Sequence, residues 1–166
     1  MKISKEKAEK QLAELRKNSE KKEQELLAII NKKENSEKSI IDIVKTVADA
    51  FKICGENYAT FKKKCKLAGD APHEVASKEL LRITRALNYD PITKKFWTPD
   101  YRNRSEKKWE IVWVWDEASG RFVFNYSFFV CVSASSNVGV RRVFKTEQIA
   151  VYAARNFADV FNIDLK

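Results

Sequence analysis

Trp109-Glu110-Ile111-Val112-Trp113-Val114-Trp115 and Arg121-Phe122-Val123-Phe124-Asn125-Tyr126-Ser127-Phe128-Phe129-Val130 are the two runs whose reading decides the fold. The first alternates with period two, and both are dense in β-branched and aromatic residues, which suit a pleated, half-buried surface. Asp116 to Gly120 supplies turn chemistry between them. Residues 109–133 therefore read as an antiparallel hairpin. With regular pleating, Trp109, Ile111, Trp113 and Trp115 share one face of the first strand, and Phe122, Phe124, Tyr126 and Phe128 share one face of the second. Ser135-Ser136-Asn137-Val138-Gly139 is a second turn, leading to a short strand over 140–144. Thr146 then caps a closing helix, whose Ile149, Ala150, Ala153, Phe157, Val160 and Phe161 fall on one face and are expected to cover the sheet.

Upstream the chain reads as helical. Residues 4–33 are mostly Lys, Glu, Ala, Leu and Gln without Gly or Pro, a strongly helix-forming composition. A heptad frame with Leu12 at its first seam position is polar in every second heptad, so the apolar face of Leu12, Leu15, Leu26 and Ile29 suits patchy contact with a partner, or self-association, rather than a continuous coiled coil. A second helix is expected from a Ser36 or Ser39 cap through Ile40, Val44, Val47 and Phe51, ending at Gly55. A short basic helix should run from Tyr58 to Leu67, and a longer one from Pro72 to about Asn88, with Pro91 beyond it. The fold class is α+β: N-terminal charged helices, then a small antiparallel sheet covered by a C-terminal helix. Residues 1–50 read as a charged helical extension and 51–166 as an α+β domain with a basic loop at 91–108. Apolar and aromatic residues crowd the stretch from Phe96 onward, so the core is expected mainly in the C-terminal half.

Composition excludes several chemistries. No stretch approaches the roughly 18 uninterrupted apolar residues of a membrane span, and Met1 to Glu6 lacks the apolar segment of an export signal. Cys54, Cys65 and Cys131 are odd in number and widely spaced, which fits buried thiols in a reducing compartment rather than a disulfide framework or paired zinc knuckles. The chain has a single histidine, His73, in the first turn of a helix, where a solvent-facing residue is ordinary. Four glycines provide no phosphate cradle. No catalytic residue, metal or cofactor is expected.

The net charge of +9 is concentrated. Residues 51–108 hold 14 basic and 7 acidic residues, whereas 109–166 hold 6 of each. A local excess attracts polyanions in a way that an evenly spread one does not. Lys62, Lys63, Lys64, Lys94, Lys95, Arg102, Arg104, Lys107 and Lys108 are the candidate phosphate contacts, with Trp97 and Tyr101 in the basic loop as base-stacking partners. The strand tryptophans are expected to be buried, because a small sheet has little else with which to build its core.

Two resemblances follow from particular residues. Pro99-Asp100 and Glu106-Lys107-Lys108 resemble the Pro-Asp and Glu-x-Lys elements of a nuclease superfamily, but the gap between them is too short for the separate strands such a site requires, so a charged loop is expected. Val138-Gly139-Val140-Arg141-Arg142-Val143-Phe144-Lys145-Thr146, continuing through Ala150, Tyr152-Ala153 and Phe157, resembles the C-terminal signature of a widespread family of small phage and prophage proteins. Ala86-Leu87-Asn88 and Trp97-Thr98-Pro99-Asp100-Tyr101 are similar to that family's Ala-Leu-Asn and Trp-x-Pro-Asp-Trp, with Tyr101 in place of the second Trp. The resemblance spans about residues 80–162. It implies a phage-encoded protein working in the cytoplasm of a bacterial host, without implying an activity. Read physically, Gly139 permits a tight turn, Phe144 anchors a strand, and Arg141 braces a carboxylate. A basic protein of this kind without a catalytic constellation is expected to act by binding. One expectation is an accessory protein that inhibits a host protein or ribonucleoprotein, such as an anti-CRISPR-like inhibitor of an RNA-guided nuclease, using the N-terminal helix. The other is a binder of single-stranded RNA or DNA.

Overall fold

In the computed structural model, residues 14, 16–26, 39–130 and 142–166 are described, and the chain divides into two units, Met1–Lys38 and Ser39–Lys166. In the first unit residues 16–26 are helical and exposed, as their composition dictates. Leu12, Leu15 and Ile29 lie outside the described residues, and Leu26 is an exposed leucine on this helix.

The second unit runs α1 (Ile40–Ile43), α2 (Val47–Ile53), α3 (Tyr58–Ala68), α4 (Pro72–Leu87), β1 (Tyr89–Asp90), β2 (Lys95–Phe96), β3 (Lys108–Asp116), β4 (Arg121–Val130), α5 (Glu147–Asn156) and α6 (Ala158–Asp164). The helix expected over 40–51 is broken. Thr46 and Asp49 form a reciprocal capping box, in which the Thr46 amide donates to the Asp49 carboxylate at 2.8 Å and the Asp49 amide donates to the Thr46 hydroxyl. That pair satisfies free amides at a helix start, so a new helix begins at Val47. Gly55, at φ 75°, follows its end as expected. The closing helix starts where predicted, with the Thr146 hydroxyl accepting from the Ile149 amide, but it divides at Phe157 into α5 and α6.

The core is more helical than the sequence suggested. Leu80, Ile83 and Leu87 of α4 are fully buried against Ile40, Val44, Ala50, Phe144, Ala150, Ala153, Phe157 and Phe161. Each such side chain contributes about 1.5–3 kcal/mol on leaving water. Because Ile40, Val44 and Ala50 belong to this cluster, the unit begins at Ser39 and not after residue 50, and its core is shared with the N-terminal helices rather than concentrated beyond Phe96. α4 packs against α2, α5 and α6, while α5 and α6 cover one face of the β3–β4 hairpin.

That hairpin carries a bulge that changes the expected faces. Val112 pairs with Tyr126 but Trp113 pairs with Phe124, which leaves Asn125 as an extra residue. The bulge resets the alternation. Phe122 and Phe124 stand opposite Trp115 and Trp113, whereas Tyr126 and Phe128 oppose Val112 and Glu110 on the other face. The four aromatics of β4 therefore do not share a face. Trp109, Ile111 and Trp113 pack toward the core, with the rings of Trp113 and Phe161 4.9 Å apart, but Trp115 is half-exposed. Asn162 holds the edge of β4, its side chain accepting from the Phe122 amide and donating to the Phe122 carbonyl, both at 2.8 Å.

Residues 131–133 and 140–141 of the expected strands, with Gly139, lie outside the described residues. Phe144 exchanges both backbone hydrogen bonds with Trp109, at 2.9 and 2.8 Å, and is fully buried. Arg141, expected to brace a carboxylate, also lies outside the described residues, while its neighbour Arg142 binds Asp164 and the Ser77 hydroxyl. No described helix is long and apolar enough to cross a membrane.

Candidate functional site

Leu81, Thr84, Arg85 and Asn88 recur at three- and four-residue spacing and so form one stripe along the C-terminal half of α4. The chain after α4 folds back over that stripe. Tyr89 pairs with Phe96 and Asp90 with Lys95 in a miniature hairpin not foreseen within the basic loop. Its turn is set by the Asp90 carboxylate, which accepts from the amides of Ile92 and Thr93 and is held below its ordinary pKa by them. Lys94 closes the turn at φ 59°, a left-handed conformation that costs a non-glycine residue about 1 kcal/mol. The Arg85 guanidinium lies 4.7 Å from the centre of the Phe96 ring, a cation–π stack.

Beyond Phe96 the Trp97 amide donates to the Asn88 carbonyl at 2.8 Å, and residues 97–107 form a loop braced from within. Glu106 is the hub. Its carboxylate accepts from the Trp97 indole at 3.1 Å and the Asp100 amide at 2.7 Å, and pairs with the Lys108 ammonium at 3.1 Å. Burial pushes the Glu106 carboxyl up, but these donors outweigh it and hold the pKa below the ordinary value. Lys108 is fully buried and also donates to the carbonyls of Asn103 and Glu106. The Pro-Asp and Glu-x-Lys fragments thus meet, but as a brace: Glu106 already accepts three donors and Asp100 is engaged by Arg102.

The brace fixes Trp97, Pro99 and Tyr101 against the α4 stripe. Together they enclose an open groove of about 430 Å³, lined also by Thr84, Arg85, Phe96 and Val143. Asn88 fixes its floor. The Asn88 side chain donates through Nδ2 to the Val143 carbonyl at 2.8 Å and accepts at Oδ1 from the Lys145 backbone amide at 2.9 Å, joining α4 to the segment before α5. Burial raises the Tyr101 hydroxyl pKa, and Glu110 and Glu106 add to the effect. Thr84, 4% exposed, has a buried hydroxyl without a hydrogen-bond partner among the described residues. Arg85 has no ion-pair partner among the described residues.

The predicted contact residues divide accordingly. Trp97 and Tyr101 line the groove. Lys94 and Lys95 stand on the adjoining hairpin and Arg102 and Arg104 on the adjoining loop, all four exposed, with Arg102 paired to Asp100. Lys62, Lys63 and Lys64 sit on α3, away from the groove, where Lys62 pairs with Glu79 at 3.2 Å. Lys107 lies over the Phe129 ring at 4.4 Å. Lys108, read from the sequence as a phosphate contact, is corrected to a buried structural cation, because its ammonium is enclosed by Glu106 and two carbonyls. The sequence reading missed Thr84, Arg85 and Phe96. The stripe at 81, 84, 85 and 88 was a usable signal for the first two.

A second aromatic surface is the outer face of the β3–β4 hairpin, where Tyr126, Phe128 and Val114 are exposed. Its charge does not suit a polyanion. The face carries Glu110, whose carboxyl burial pushes up, and Asp116, while Lys108 is buried and Arg121 pairs with Asp159. No protein-family profile, curated protein or solved structure matches the chain.

Proposed function

We propose that this chain is a phage-type accessory protein that binds single-stranded nucleic acid in the groove between α4 and the braced loop. The observation carrying the proposal is the coincidence of Phe96, Trp97 and Tyr101 with Arg85 in one concave site, whose adjoining hairpin and loop carry the exposed Lys94, Lys95 and Arg104. Base–aromatic stacking supplies about 1–3 kcal/mol per base, and the cations supply a salt-dependent phosphate term. The hairpin's outer face has the aromatics without the cations, which is why the groove is preferred. The phage character rests on the resemblance of the residues around Asn88, Trp97 and Phe144, residues that meet around the groove floor.

The test is fluorescence anisotropy of the full chain with labelled 12-nucleotide RNA and DNA strands across a salt series. Four phosphate contacts give a slope of log affinity against log salt of about −3. Neutralising Arg85, Lys94, Lys95 and Arg104 together should abolish most of that slope. Unchanged binding by the quadruple variant would remove the groove from the account.

The exposed Leu26 on the N-terminal helix supports a second reading, an inhibitor of a host protein or ribonucleoprotein that docks through that helix. Changing Leu26 to Lys should then release a protein partner in pull-downs while leaving oligonucleotide binding intact.

A further inference from the structure

Glu79 is a carboxylate that its surroundings satisfy on one side only. It sits in the middle of α4 and is 6% exposed. Its Oε1 accepts from the Tyr58 hydroxyl at 2.9 Å and from the Lys62 ammonium at 3.2 Å, whereas Oε2 makes no hydrogen bond among the described residues. The Thr84 hydroxyl is the only enclosed side-chain polar atom without a partner among those residues, so Oε2 is open to solvent. The opening available to a residue this deeply set is the cavity of about 350 Å³ that Glu79 lines between α3 and α4. Cys65, Pro72, Val75, Ala76 and Ile163 give that cavity a largely apolar wall, with Lys62 and Lys66 on its α3 side. Its volume falls within the roughly 300–1,000 Å³ of small-molecule sites.

The charges around the cavity narrow the ligand. Lys62 balances Glu79, and Lys78 balances Asp70, whose carboxylate also accepts from the Cys65 thiol and is held below its ordinary pKa by these two donors. A free amine or a metal ion would therefore meet carboxylates that are already neutralised. Lys66 is exposed and has no ion-pair partner among the described residues. The vacant Oε2 calls for a neutral N–H donor, the apolar wall for a flat or aliphatic body, and Lys66 for an anionic group. A nucleotide joins the three in one molecule. We propose that this cavity binds a nucleotide whose base carries an exocyclic amino group, the amino group donating to Glu79 Oε2, the ring lying against Val75 and Ala76, and the phosphate meeting Lys66. The site is separate from the groove and does not depend on strand binding there. Because a hydrogen bond to a charged group is among the stronger neutral-to-ionic contacts, Glu79 sets the choice of base and Lys66 adds affinity without choice.

The test is isothermal titration of the full chain with AMP, GMP, CMP, UMP and ribose 5-phosphate. UMP is the control, because uracil has no amino group and flanks its ring N–H with two carbonyls that repel a carboxylate. The expected result is saturable binding of at least one amino-bearing nucleotide with a Kd below about 1 mM, roughly tenfold tighter than UMP or ribose 5-phosphate. Glu79→Gln keeps the side-chain shape and an acceptor for Tyr58, and should reduce that preference to less than about twofold. Lys66→Ala changes only an exposed side chain, so it keeps the fold whatever Glu79→Gln does in urea denaturation. It should weaken every phosphate-bearing ligand by about threefold and leave the preference intact. Absence of saturable binding up to about 10 mM, or equal affinity for UMP and the amino-bearing nucleotides, overturns the proposal. A preference that survives in Glu79→Gln, or affinities unchanged in Lys66→Ala, overturns it equally. Competition by a 12-nucleotide strand ending in the preferred nucleotide distinguishes a strand terminus from a free nucleotide as the source of the ligand.

Discussion

Glu106→Gln should unravel the loop that forms the groove, and the structure sets the size of the effect. Lys108 is fully buried, its ammonium held by Glu106 at 3.1 Å and by two carbonyls at 3.2 and 3.0 Å. Removing one partner of a buried ion pair costs about 3–5 kcal/mol, chiefly because the other charge is stranded. Glu106 is itself 24% exposed and Lys108 keeps both carbonyls, so the loss falls just below that range, about 2–3 kcal/mol. In a unit of this size each kcal/mol moves the melting temperature by about 4 °C, so a fall of about 8–12 °C is expected at pH 7.

Lys108→Met removes the buried charge along with its partner contact and should cost less, about 1 kcal/mol. The double variant should be more stable than the two single losses predict, by at least about 1 kcal/mol of coupling. Acid adds a second check. Glu106 has a depressed pKa in the folded chain, so its contribution is present above the unfolded carboxylate pKa and is lost as pH falls through the folded value. The stability gap between wild type and Glu106→Gln should therefore narrow below about pH 4.5. Urea denaturation followed by tryptophan fluorescence, run at several pH values, measures all of this. A Glu106→Gln loss below about 1 kcal/mol at pH 7, or a gap that does not narrow in acid, would refute the brace.

Three further outcomes follow from other contacts. Asn88→Ala leaves the Val143 carbonyl and Lys145 amide without their partner and should cost about 2–3 kcal/mol in chemical denaturation; a loss within experimental error would show that the clamp is dispensable. Lys94→Gly relieves the left-handed backbone and should raise stability by up to about 1 kcal/mol, while lowering the salt slope of oligonucleotide binding by about 0.7; an unchanged slope would remove Lys94 from the phosphate contacts. Burial and the hydrogen bond to Glu79 push the Tyr58 hydroxyl up to about 12, so its contribution to stability is full below about pH 10 and is lost as pH rises through 12. Absorbance titration at alkaline pH should show a tyrosine ionising at about pH 12 that Tyr58→Phe removes, and an unchanged curve in that variant would contradict the contact.

Local chemistry was legible wherever a residue acts on its own neighbours. Thr146 caps α5, Gly55 follows the end of α2, Pro72 opens α4, and Asp116 and Gly120 turn the hairpin, each by a rule confined to a few residues. The α+β class followed from these. What escaped depended on residues distant in sequence. Nothing near Asn125 announces a bulge, so four aromatics at even spacing read as one face when the pairing divides them into two. Lys108 looked like one more cation in a basic loop, because burial by Asn103 and Glu106 carbonyls is a tertiary property. The groove was half legible: Trp97 and Tyr101 stood out as aromatics among cations, while Thr84 and Arg85 were hidden in a helix whose other face builds the core.

The most direct test of the central claim is photocrosslinking of the full chain to a single-stranded oligonucleotide carrying 5-bromouridine, followed by identification of the modified residues. The account predicts adducts on Phe96, Trp97 or Tyr101, competed by unlabelled strand and lost at high salt. Adducts confined to Tyr126 and Phe128, or none above a protein control, would contradict it.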